Sequence, residues 1–206
     1  MKILSLAASA ALAVCCASAL ASCSDDARFE GIWKSIAPIT ITDPADGSES
    51  ISADITMNFG ENQNNDGGDL GVTYGFTAVK PLGDGKAAPG EITVKGTAEV
   101  PGHWTYDIDD DDDLLIEINS SAIKVNIDKE NITFAGAGAA ALTNAQRESM
   151  AEDLAKRCAA GMKAAIEADA RRFTVIEDVE VSKDRKTLGF ETKSPKTDYR
   201  FRRVGI

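Results

Sequence analysis

The sequence predicts a mainly β fold: an antiparallel up-and-down meander closed into a barrel, with one long helix inserted before the last strands. Three observations carry this. Several runs alternate apolar and polar residues strictly. Polar, Gly- and Asp-rich stretches separate those runs, as expected of turns between neighbouring antiparallel strands. One segment between residues 143 and 172 has helical spacing instead.

The clearest strand is Ile51, Ala53, Ile55, Met57 and Phe59 against Ser52, Asp54, Thr56 and Asn58. A period of two places all five apolar side chains on one face, so the strand buries one side and wets the other. The same period runs through Ile92, Val94, Ala98 and Val100, and again through Ile123, Val125 and Ile127. The connections read "DPADGSE", "GENQNNDGGDLG", "PLGDGKAAPGE", "DIDDDDD" and "SKDRK". Sheets of this kind usually close as a barrel or pair as a sandwich.

The helix runs over about 143–172. Thr143 and Gln146 have capping-box spacing, which satisfies the first free N–H groups of a helix. Met150, Leu154, Cys158, Met162 and Ile166 form an apolar stripe, so the helix packs against the outside or one mouth of the barrel. Glu152–Lys156 and Asp153–Arg157 are favourable pairs four residues apart.

The N-terminus sets the address. Lys2 precedes an apolar segment from Ile3 to Leu20, and no acid occurs before Asp25. A positive start, a short apolar core and small residues at the cut describe a secretory signal, residues 1–22, rather than a membrane span. Leu20-Ala21-Ser22-Cys23 resembles the bacterial lipobox. The resemblance implies cleavage before Cys23, a diacylated Cys23 and an acylated new amino group. Residues 23–28 then form a lipidated tether and 29–206 the folded domain. Ser24 is not the Asp that retains lipoproteins at the inner membrane, and "SDDARFE" resembles acidic tethers of surface lipoproteins. The expected location is therefore the outer membrane of a Gram-negative bacterium, with the outer face of the cell as an option.

Charge and cysteine usage narrow the partners. The chain carries a formal charge of −11, and the removed signal takes one Lys with it, leaving the mature form more acidic. Such a surface repels phosphate backbones, so nucleic acid is not an expected partner. Cys15 and Cys16 leave with the signal and Cys23 takes lipid, so Cys158 stays alone and no intrachain disulfide is expected. Its Ala-rich helical setting suggests a small core residue.

Gly31-Ile32-Trp33 in "FEGIWKS" resembles the Gly-x-Trp motif of lipocalin-like proteins. In that family Trp33's counterpart plugs the closed end of the barrel, and an Arg of the last strand lies over it. The last strand here, "DYRFRRVGI", offers Arg200 and Arg202 on one face and Arg203 on the other; Arg200 and Arg202 are the expected structural partners of Trp33. The helix precedes the last strands instead of following the eighth, so the resemblance extends only to a lipocalin-like barrel.

A barrel closed at Trp33 opens at the other end, where the loops after Ile41 and Pro81 would form the rim. Tyr74 and Phe76, on the strand rising towards Pro81, are the candidate ligand contacts. The inward residues are mixed, with Ala53, Gly96 and Ala98 small but Met57, Phe59 and Tyr74 large, so they do not fix whether the barrel is hollow.

Other motifs fail on spacing. Gly136, Gly138 and Ala141 match a dinucleotide fingerprint, but the capped helix starts past the glycines and leaves no helix N-terminus for a phosphate. The Asp107–Asp113 run and the loop from Asn62 lack the Gly or the bidentate acid of an EF-type calcium loop. His103 is the only histidine, so no His-rich metal site is expected. No Gly-x-Ser-x-Gly occurs. The expectation is a non-catalytic binding module for a small apolar or glycan-like ligand, without cofactor or metal. The alternative is a structural or protein-interaction envelope lipoprotein with a filled barrel. A carboxylate-dependent hydrolase is the third reading.

Overall fold

The computed structural model describes residues 30–42, 50–60, 67–82, 89–106 and 113–205. The signal, Cys23 and the tether lie outside them, as do the tips of four connections, the Asp107–Asp112 stretch included. The chain forms a closed eight-stranded antiparallel barrel.

Strands β1 (Gly31–Ser35) and β2 (Ile39–Thr42) both pair with β3 (Ser50–Phe59). They are one strand interrupted at Ile36–Pro38, where the proline has no N–H to give to a ladder. Ser35 compensates, its buried Oγ accepting the Ile55 amide at 3.0 Å. β4 (Gly67–Pro81) and β5 (Gly90–Tyr106) form the longest ladder, from Gly67↔Thr105 to Pro81↔Glu91. The chain then returns along β5 in three pieces: β6 (Leu114–Ile118), β7 (Lys124–Asn126) and β8 (Ile132–Gly136). Of the expected strand at Ile123–Ile127, only the three residues of β7 pair.

A four-residue turn of helix, α1 (Ala137–Ala140), leads into α2 (Asn144–Ala170). β9 (Val175–Val181), β10 (Thr187–Lys193) and β11 (Lys196–Gly205) complete the wall. β11 pairs with β1, and β1 with β3, which closes the ring. The seam between β6 and β9 is thin: Leu114↔Ile176 and Leu115↔Val175 are its ladder partners.

The alternation dictates which residues point inward. Ile51 to Phe59 in β3 and Leu70 to Ala78 in β4 are buried at every second position. The register sorts the connections. Thr42, Ser50, Pro81 and Gly90 lie at one end, whereas Phe59, Tyr106, Val181 and Gly205 bring their strands to the Trp33 end.

α2 has the expected capping box, Thr143 accepting from the Gln146 amide at 3.2 Å while Gln146 accepts from the Thr143 amide at 2.8 Å. Lys156–Glu152 and Arg157–Asp153 pair at 2.9 and 2.7 Å. The packed face differs from the simple stripe. Met162 and Ile166 are buried, but Met150, Leu154 and Cys158 are only half-buried. Strict spacing of four over sixteen residues drifts roughly 160° around a helix, so one stripe cannot stay on one face. The helix instead uses two faces in succession. Ala151, Leu154 and Ala155 pack on Ile92, Val94, Ile132 and Phe134 of the β5–β8 extension. Met162, Ala165, Ile166 and Ala170 enter the barrel core with Phe173.

Candidate functional site

At the Trp33 end the strands seal the barrel themselves. Trp33 is 0% exposed, and the guanidinium over its ring, 4.6 Å from the centroid, belongs to Arg203. This corrects the expected partners: Arg200 and Arg202 are exposed on the outer face. The parity of β11 is the reason. Tyr199 and Phe201 point inward, and Arg203 is the next residue in that set. Arg203 also donates to the Glu30 carbonyl at 3.0 Å, tying the last strand to the entry of the first. Beside them, Trp104 Nε1 donates to the Gly60 carbonyl at 2.8 Å, and the Phe59 and Trp104 rings meet edge to face at 6.3 Å. Gly68 is required there, because a Cβ on it would collide with the Gly60 carbonyl.

The opposite end, which the resemblance leaves open, is covered by α2. Tyr74 and Phe76, the candidate ligand contacts, are 0% and 2% exposed and share one apolar cluster with Met162, Ala165 and Ile166. Phe76 fills the space above Gly96, where a Cβ would lie 2.6 Å from the ring. At this pair the ring of β4 occupies the gap left by its neighbour on β5.

A buried polar group joins helix to wall here, and sequence reasoning missed it. Asp169, near the C-terminus of α2, has a fully enclosed side chain. It pairs with Arg172 one turn on and lies against the Tyr74 hydroxyl. Arg172 in turn donates to the Tyr199 hydroxyl of β11 at 3.0 Å. Burial pushes the Asp169 carboxyl up to about 6, against the opposing pull of Arg172 and of Tyr74. Burial, reinforced by Asp169, also raises the Tyr74 hydroxyl well above its ordinary value. The Tyr199 ring belongs to an aromatic cluster, with Phe173 edge-on to it at 5.1 Å and Phe190 stacked on Phe201 at 5.3 Å. In the sequence "IEADARR" looks like a solvated helix end. The signal available was the position of Asp169, three residues beyond Ile166 on the packed face.

The remaining candidates lie apart from this group. His103 is exposed on β5, its Nδ1 3.9 Å from Asp69. Cys158 is half-buried. Gly136 ends β8 at a φ of 87°, and the helical turn after it is only four residues long. Among the described residues no group of His, Cys, Asp and Glu is arranged to hold a metal ion. None of their helices is long and apolar enough to cross a membrane. Compared with known protein families, curated proteins and solved structures, the chain matches none of them.

Proposed function

We propose that the protein is a lipid-anchored outer-membrane barrel filled by its own side chains, serving as a structural or interaction lipoprotein through its outer surface. The observation that carries this reading is the closure of Tyr74 and Phe76 beneath α2. A binding module needs concave space at the mouth. Here protein takes that space, and Asp169, Arg172 and Tyr199 tie the covering helix down. The anchor rests on the lipobox ending at Cys23 and on the acidic tether that follows.

Metabolic labelling with palmitate tests the anchor: label is expected on the parent and absent from Cys23→Ala, and label that survives the substitution contradicts it. Native mass spectrometry of the extracted protein tests the filling. The barrel is expected to retain no small molecule. A molecule held by the parent and lost from Tyr74→Ala and Phe76→Ala would restore the binding-module reading.

A further inference from the structure

The outer face of β1 and β11 carries the opposite charge to the chain as a whole. Arg200, Arg202 and Val204 are successive outward residues of β11, and all three are exposed. Across the ladder Lys34 lies beside Arg202, and Ile36 donates its amide to the Arg200 carbonyl at 3.0 Å. Lys34 is committed to Asp54 at 2.9 Å, whereas no ion pair among the described residues involves Arg200 or Arg202. The β9–β10 turn borders this strip, the Lys186 carbonyl accepting the Arg203 amide at 2.9 Å. It adds Lys183, Arg185 and Lys186, all exposed, with Asp184 pairing with Lys186 at 3.8 Å. Asp198, opposite Glu191, marks where the basic strip stops along β11. Ile36 and Val204, 57% and 52% exposed, are two of the four exposed large apolar residues among those described. Both flank the arginines.

We propose that this face docks on the anionic headgroups of the membrane that holds the lipid anchor, Arg200 and Arg202 meeting lipid phosphates while Ile36 and Val204 enter the headgroup layer. A guanidinium fork matches phosphate oxygens, and cations interspersed with apolar side chains suit a membrane interface. Position favours the same occupant. β1 is the first strand and neighbours β11, and Cys23 stands eight positions before Gly31. Eight residues span at most about 29 Å, which keeps the root of β1 close to the bilayer. The formal charge of −11 belongs to the whole chain, but at physiological ionic strength charges act over about 8 Å, so the local strip decides. With the lipid holding the chain, the strip sets which side of the barrel lies down. The inference rests on the lipid-anchored reading and names the partner of its outer surface.

The test uses the lipidated protein, purified from membranes and reconstituted on vesicles of phosphatidylcholine with or without phosphatidylglycerol. In a Cys158→Ser background, Val204→Cys carries an environment-sensitive dye, and Val79→Cys, 53% exposed on β4, serves as the control. A headgroup spin label is expected to quench the Val204→Cys dye roughly twofold or more with phosphatidylglycerol present, and the Val79→Cys dye not at all. Salt at about 1 M, where the screening length falls to about 3 Å, is expected to abolish the quenching. Arg200→Glu combined with Arg202→Glu is expected to do the same, and the salt series needs no charge variant. Flotation with the vesicles reports the anchor separately. Protein that fails to float overturns the anchored reading and this inference with it. Protein that floats with its Val204→Cys dye unquenched on phosphatidylglycerol overturns this inference alone. A dye shifted to the blue but unquenched would put protein on the face, and it too overturns the inference.

Discussion

The two ends of this barrel are shut by different means. At the Trp33 end the plug is part of the wall: Trp33 comes from β1, its covering Arg203 from β11 and Trp104 from β5. At the other end the plug is a separate element, α2, held by apolar contacts and by the Tyr74–Asp169–Arg172–Tyr199 group. A plug made of strands cannot leave without unravelling the sheet. A helix laid across a mouth contributes its own packing energy, and a buried carboxyl links that energy to pH. The Trp33 end should therefore set the stability of the whole barrel, and the helix end should set how that stability responds to conditions.

Four measurements would break or sharpen this contrast. The largest effect is expected for Trp33→Ala, about 3–5 kcal/mol by urea unfolding, the usual range for losing a large aromatic from a core. A loss under 1 kcal/mol would mean that the wall does not depend on its plug. Within α2, Ile166→Ala should cost about 2–4 kcal/mol and Leu154→Ala clearly less, because only the former side chain is fully buried. Equal losses would remove the distinction between the two halves of the helix.

The third test is pH. The Asp169 carboxyl is raised to about 6 in the fold, from an ordinary value of 3.8. The folded state therefore holds this proton more tightly than the unfolded chain does. Its contribution is full below the ordinary value, falls as pH rises through about 6, and is flat beyond. Asp169→Asn lacks that slope, so its melting temperature relative to the parent should climb between pH 4 and 6.5; a constant difference would place Asp169 outside the pH response. The smallest effect concerns the last strand. Arg203→Gln should cost about 0.5–2 kcal/mol through the lost contact with Trp33, whereas Arg200→Gln and Arg202→Gln should stay within about 0.5.

The same contrast separates what was legible in the sequence from what was not. β3 and β5 were legible because each buries one face along its length, and so were the Thr143–Gln146 cap and the helix's place before the last strands, whereas the start of β4, Gly67 to Gly71, read as part of the turn-rich stretch after Phe59. The return along β5 in three short pieces was less so: β7 is three residues long and leaves little periodicity to read. The Trp33–arginine contact was legible in kind but misplaced by one position, although Tyr199 and Phe201 already marked the inward parity that Arg203 shares. The helix end escaped because its key residues are polar. A carboxylate in an Ala-rich, charged stretch reads as solvated, and only the pairing of distant segments shows that Tyr74 and Arg172 meet it inside.

The central claim is that the interior is full and closed, and thiol accessibility tests it most directly. Ala98 is 1% exposed on the inner face of β5, and Leu115 is 39% exposed on the outer face of β6. With Cys15, Cys16, Cys23 and Cys158 all replaced by Ser as background, Ala98→Cys and Leu115→Cys each offer a single thiol at one of these positions. Under native conditions the Leu115→Cys thiol should react with a soluble aromatic disulfide at once. The Ala98→Cys thiol should react no faster than the protein unfolds, at a rate that follows added urea as global unfolding does. Rapid, urea-independent labelling of Ala98→Cys would show an open interior and contradict the account.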